Sequence, residues 1–67
     1  MKVINERAFN NTGHITIHGE NDRVLGFSWS NKGDDILIKC DTKLTDDEKV
    51  FIGNLFPWTS TIYDGLN

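Results

Sequence analysis

Three side chains of this sequence are of types that bind metals or act as nucleophiles: His14, His18 and Cys40. The stretch HITIHG alternates like a strand, so His14 and His18 share a face about 13 Å apart, at roughly 3.3 Å per residue. That separation is too large for two ligands of one tetrahedral zinc ion. Cys40 alternates with Ile36 and Ile38, which indicates a core position where a thiol acts as a small hydrophobic group. With no third group to orient a Cys–His pair, the pattern predicts no catalytic residue, no metal site and no cofactor.

Carboxylates form the second group of candidate residues. Five aspartates bracket the third predicted strand and begin the segment after it: Asp34, Asp35, Asp41, Asp46 and Asp47. Paired catalytic carboxylates need a cleft, for which 67 residues leave little room. Helix capping and turn chemistry explain several of these residues. The remaining interpretation is an acidic patch for a basic surface, because clustered carboxylates present a field like that of nucleic-acid phosphates.

Aromatic residues form the third group. The chain has two Trp, one Tyr and four Phe. Phe27 and Phe51 fall at positions expected to face a core. Trp58 and Tyr63 lie near the C-terminus and suit a core or an interface equally, since Trp and Tyr are enriched in binding hot spots. We therefore expect Trp58 and Tyr63 to contribute to a contact surface.

The elements that must position these residues begin with a β-hairpin, Arg23 to Cys40. Its arms, RVLGFSWS and DILIKC, alternate between apolar and small or polar residues, and NKGD supplies the loop. Alternation predicts three strands of an antiparallel meander: 14–19, 23–30 and 35–41. Residues 2–9 fit no clear period and are interpreted as a short strand or an extended arm.

A helix is predicted after the meander. Thr45 and Glu48 match a capping box, and Pro57 disfavours helical backbone in the residue before it, so the helix should end near Leu55 or Phe56. Its apolar side is expected to cover the Leu25/Phe27/Trp29 face of the sheet and comprises Phe51, Ile52, Leu55 and Phe56. The tail, 57–67, is predicted to be a short strand or an extended segment along the domain. The fold class is therefore α+β in one domain, 1–67: a three- to four-stranded antiparallel sheet with one C-terminal helix on one face.

Composition limits the function further. Net charge is −3 and the pI is about 5.1, a balance that disfavours direct phosphate binding and permits a basic partner. One cysteine excludes an internal disulfide. The sequence has no apolar run resembling a signal peptide or a membrane helix, so a cytoplasmic location is expected.

These observations predict a non-enzymatic acidic binding protein that docks on a larger protein with a basic surface and modulates or inhibits it. The expected contact surface joins the five aspartates to Trp58 and Tyr63. Mimicry of nucleic acid and an origin in a virus or mobile element are compatible with a compact acidic chain, although no residue demonstrates either.

Two alternatives stay open. A self-associating module would pair an exposed third strand or the apolar tail across a two-fold axis, giving a homodimer. A single-stranded nucleic-acid binder would use Trp29, Lys39 and His18, with bases stacked on sheet aromatics. The acidic balance and the small number of Lys and Arg residues disfavour this second alternative.

Overall fold

The computed structural model describes residues 1–56 and 60–65. Over these residues the chain forms the following elements: β1 Lys2–Phe9, β2 Thr12–His18, a 3₁₀ turn Glu20–Asp22, β3 Val24–Lys32, β4 Asp35–Cys40, α1 Asp46–Leu55 and β5 Ser60–Asp64. The strands form one sheet in the order β1-β2-β3-β4-β5. Among the described residues, no helix has both the length and the apolar character needed to cross a membrane.

The predicted α+β class is confirmed, while the predicted number and direction of strands are corrected. The sheet has five strands, of which β1 to β4 are antiparallel and β5 runs parallel to β4. The ten residues of α1 carry the chain back along the sheet by about 15 Å, at roughly 1.5 Å per residue. The next strand therefore starts from the same end as β4, which makes the pair parallel.

The edges of the sheet bear on self-association, for which the sequence analysis proposed an exposed third strand. The third predicted strand is β4, and its outer side pairs with β5 from Ile36↔Ser60 to Cys40↔Asp64. It therefore has no free edge with which to pair across a two-fold axis. The edge strands of the described sheet are β1 and β5.

The core lies between α1 and one face of the sheet. Its buried apolar members are Ile15, Ile17, Leu25, Phe27, Ile38, Cys40, Leu44 and Ile52. Cys40 is buried as predicted, and Phe51 and Phe56 pack against this cluster. Leu55 was expected to join them but is 43% exposed. Phe56 leaves the helix with extended backbone and packs edge-on against Trp29 with ring centroids 6.1 Å apart, so Phe56 covers Trp29 while Leu55 faces solvent.

Close packing at Gly13 gives a first testable prediction. Gly13 pairs directly with Trp29, and a Cβ at Gly13 would lie 2.5 Å from indole ring atoms. We expect Gly13→Ala to displace the indole and lower the free energy of unfolding by about 1–3 kcal/mol. Gly26→Ala on the next strand is the matched control, because no atom lies within 4 Å of its added Cβ. Urea unfolding followed by circular dichroism measures both variants, and equal midpoints would contradict the packing at Gly13.

Candidate binding surfaces at the helix start and on the open sheet face

The five aspartates predicted to form one contact surface lie at two ends of the sheet. Asp34 lies in the turn between β3 and β4, and Asp35 is the first residue of β4. Asp46 and Asp47 are the first residues of α1, and Asp41 begins the loop that leads to them. The length of β4 separates Asp35 from Asp41 by about 20 Å, at roughly 3.3 Å per residue. The structure therefore separates the hairpin pair from Asp41 and from the residues that follow it.

The predicted surface included two aromatic residues, Tyr63 and Trp58. Tyr63 lies on β5, directly opposite Lys39, and is 43% exposed. It belongs to the face of the sheet that α1 does not cover. Trp58 lies outside the described residues. Tyr63 is therefore part of a surface different from the one at the helix start.

Two further carboxylates join the start of α1. Glu20 and Asp22 belong to the 3₁₀ turn. The Thr45 hydroxyl donates a hydrogen bond to the Glu20 carboxylate, and the Glu20 N–H donates to Glu48 Oε2 at 2.9 Å. We define the acidic end as Glu20, Asp22, Asp46 and Asp47. Sequence analysis did not identify Glu20, because its contacts with Thr45 and Glu48 join positions more than twenty residues apart.

Glu48 connects the two segments of the acidic end, the 3₁₀ turn and the start of α1. Its side chain is fully buried, and Oε1 accepts the Thr45 N–H at 2.9 Å and lies 3.5 Å from Arg23 Nη2. The predicted capping box is confirmed. Burial alone raises the pKa of Glu48, but the Thr45 and Glu20 N–H groups and the charge of Arg23 outweigh it, so the pKa lies below its ordinary value. Glu48 is therefore an ionised structural group at neutral pH.

Asp64 connects β5 to the loop that precedes α1. The Leu44 N–H donates to Asp64 Oδ2 at 2.8 Å and lowers the pKa of this carboxyl most, and the charges of Lys43 and Lys49 lower it further. Lys43 and Lys49 are therefore close enough to Asp64 to interact with its charge.

The second surface is the open face, by which we mean the side of the sheet opposite α1. Register places one residue from each strand in a continuous line across it: Arg7, His14, Ser28, Lys39 and Tyr63. We call this line the transverse row. Four interstrand steps give it a length of about 19 Å, at roughly 4.8 Å per step. It combines two cations, an imidazole, a hydroxyl and a phenol on one exposed surface.

A shallow depression of about 360 Å³ lies beside the transverse row. It forms over Gly26, which has no side chain to fill the space above β3. The polar side chains around it are His14, Thr16, Ser28, Lys39 and Asp41. The depression is open to solvent and offers hydrogen-bond donors and acceptors to a planar group.

Charge is distributed unequally between the two sides of the molecule. Strand register places on the open face four of the seven basic side chains, Lys2, Arg7, Lys32 and Lys39, and one of the ten carboxylates, Asp35. A second carboxylate, Asp41, lines the depression on this face. The other eight carboxylates lie on the helix side, at the ends of the sheet or in turns. The open face is therefore net positive although the whole chain is acidic.

The two histidines and Trp29 lie on opposite faces of the sheet. His14 and His18 lie on the open face and are exposed, as alternation predicted. Within residues 1–56 and 60–65, no three His, Cys, Asp or Glu side chains are arranged to hold a metal ion. The proposed use of Trp29 for base stacking is wrong, because Trp29 is half-buried on the core face against Phe56 and Gly13.

Two other aromatic rings lie on the open face. Phe9 is 77% exposed at the end of β1, and Tyr63 ends the transverse row on β5. Sequence reasoning missed Phe9 because residues 2–9 had no clear period. The chain matches no family model, and comparisons with curated proteins and with solved structures find no significant match.

Proposed function

We propose that this protein is a non-enzymatic binding protein whose acidic end docks on a basic surface of a larger protein and blocks or modulates that protein. The observation that carries the proposal is the unequal distribution of charge. Eight carboxylates lie off the open face together with three basic residues, and four of the eight, Glu20, Asp22, Asp46 and Asp47, form the acidic end. Of those three basic residues, Arg23 lies 3.5 Å from the buried Glu48, and Lys43 and Lys49 contribute the other two positive charges.

The acidic end is also held in a fixed arrangement. Glu48 accepts hydrogen bonds from the 3₁₀ turn and from the start of α1, so carboxylates from two segments keep a constant relative position. Groups that are positioned before binding lose less conformational entropy when a partner arrives. Such a charged surface contributes mainly to specificity and association rate.

The partner class follows from the same charges. A fixed group of carboxylates produces a field similar to that of successive phosphates. A protein that binds nucleic acid through Lys and Arg therefore suits the acidic end, and occupation of that basic site would block it. The transverse row on the other face is not used in this contact.

A charge-neutralising pair tests the proposal. We expect Asp46→Asn with Asp47→Asn to reduce the amount of partner captured from native lysate by about tenfold, since each lost interaction contributes about 0.7 kcal/mol. The matched control is Asp34→Asn with Asp35→Asn, which changes the net charge equally at the hairpin. The readout is quantitative mass spectrometry, followed by titration of the purified partner.

The control determines how the result is interpreted. Loss of one captured protein with the helix-start pair, and retention with the hairpin pair, supports the proposal. Equal losses would assign the effect to total charge. Unchanged capture by both pairs would exclude the acidic end as the contact surface. Thermal unfolding of both variants establishes that they remain folded.

A further inference from the structure

We propose that the open face of the sheet binds single-stranded nucleic acid along the transverse row, separately from the acidic end. The sequence disfavoured nucleic-acid binding on the basis of total charge. Total charge does not show that the open face holds four of the seven basic side chains and two of the ten carboxylates. This surface therefore complements a polyanion although the protein as a whole is acidic.

Two cations of the transverse row are placed to contact successive parts of a phosphate backbone. Arg7 and Lys39 are three strands apart, about 14 Å at roughly 4.8 Å per strand. Both are exposed, and no carboxylate among the described residues lies within ion-pair distance of either one. Their charges are therefore available to an incoming anion.

The exposed rings favour nucleic acid over other polyanions. Tyr63 ends the transverse row, and Phe9 lies two residues beyond Arg7 on the same face of β1. Stacking of a base on an aromatic ring contributes about 1–3 kcal/mol, and the bases of a single strand are free to make this contact. An acidic polypeptide would satisfy the charges but would leave both rings without a stacking partner.

The depression over Gly26 provides a position for one base beside the transverse row. It lies between His14 and Lys39, and Ser28 lines it. Asp41 also lines it, which makes its carboxylate available to accept a hydrogen bond from a base N–H group, such as N3–H of thymine. The flat, wide sheet surface suits an extended strand, whereas a duplex keeps its bases stacked inside.

The first test is a titration with fluorescein-labelled oligothymidylate of about fifteen nucleotides, read by fluorescence anisotropy at about 50 and about 200 mM NaCl. We expect saturable binding that weakens with salt. Arg7→Gln with Lys39→Gln should weaken binding by about tenfold and reduce the salt slope by about 1.4, since each single-strand phosphate contact contributes about 0.7. The matched control, Lys43→Gln with Lys49→Gln, should bind like wild type.

A second pair of variants tests stacking. Tyr63→Thr should weaken binding by about tenfold because the ring is lost, whereas Tyr63→Phe should retain wild-type affinity. The pair Asp46→Asn with Asp47→Asn should leave oligothymidylate affinity unchanged, so this proposal and the docking proposal fail independently. Circular dichroism of each variant establishes that its fold is retained.

Three results would overturn the inference. The first is no binding at the lower salt concentration. The second is equal weakening by the row pair and by the control pair of lysine variants. The third is equal competition by poly-L-glutamate or by a duplex of the same length, which would assign binding to charge alone.

Discussion

Glu48→Ala is expected to lower the free energy of unfolding by about 3 kcal/mol. The substitution removes the acceptor for the Thr45 and Glu20 N–H groups and leaves Arg23 without its carboxylate partner. Each buried donor left unsatisfied costs about 1–3 kcal/mol. A domain of this size has a total stability of roughly 5 kcal/mol, so the variant should be close to unfolding at room temperature. Urea unfolding monitored by circular dichroism measures the loss.

Two companion variants isolate the reason for that loss. Glu48→Gln keeps the shape and one acceptor oxygen, so its loss should be intermediate. Asp47→Ala, one residue away and exposed, should cost less than about 1 kcal/mol, through its interaction with the helix dipole. Equal stability of Glu48→Ala and Asp47→Ala would contradict the role of the buried carboxylate.

The pH dependence of the same contact has a defined sign. Because the pKa of Glu48 is lower in the folded protein, its ionised form stabilises the fold above the ordinary glutamate pKa. This contribution is lost as the pH falls through the lower folded-state value. We expect the stability difference between wild type and Glu48→Gln to shrink over that interval in acid titrations followed by urea unfolding.

Phe27→Ala is expected to have an effect at least as large, about 3–5 kcal/mol. Phe27 lies in β3, the middle strand of the described sheet, and is 2% exposed. Truncation removes a large apolar side chain from the core and leaves a cavity that the surrounding strands fill only in part. The expected loss approaches the total stability of the domain, so the variant should lack a cooperative thermal transition at room temperature and above.

Controls for this substitution use the same residue type and the same site. Phe9→Ala removes an identical ring from a position that is 77% exposed, and it should change stability by less than about 0.5 kcal/mol. Phe27→Leu should cost about 1–1.5 kcal/mol, because most of the volume is retained. A Phe27→Ala variant that melts like Phe9→Ala would place the core elsewhere.

Local patterns predicted much of this fold. Alternation located β2, β3 and β4 within two residues, and Thr45 with Glu48 located the start of α1. Both signals depend on neighbouring residues alone. The absence of a period in residues 2–9 also has a physical cause, since the register of β1 shifts between Val3 and Asn5. A bulge of this kind moves later side chains to the opposite face.

Features that depend on register were not predictable from the sequence. The separation of Asp35 from Asp41 is different, because the predicted strand 35–41 already implied that they lie at its opposite ends. Arg7, Lys39 and Tyr63 are far apart in sequence and share the transverse row because strand pairing aligns them. The parallel direction of β5 depended on where α1 returns the chain, which alternation in the tail does not encode.

The parallel pairing of β5 with β4 has a consequence for the order of folding. Neighbours within β1 to β4 are joined by short turns, so these hairpins can form from local encounters. The β4–β5 pair needs α1 to form and cross the sheet first. We therefore expect the last strand to dock late, with the edge of β4 temporarily able to recruit strands from other chains. Once α1 has crossed the sheet and β5 has paired with β4, this edge is covered, and the stage of folding at which the chain is most prone to aggregate is over.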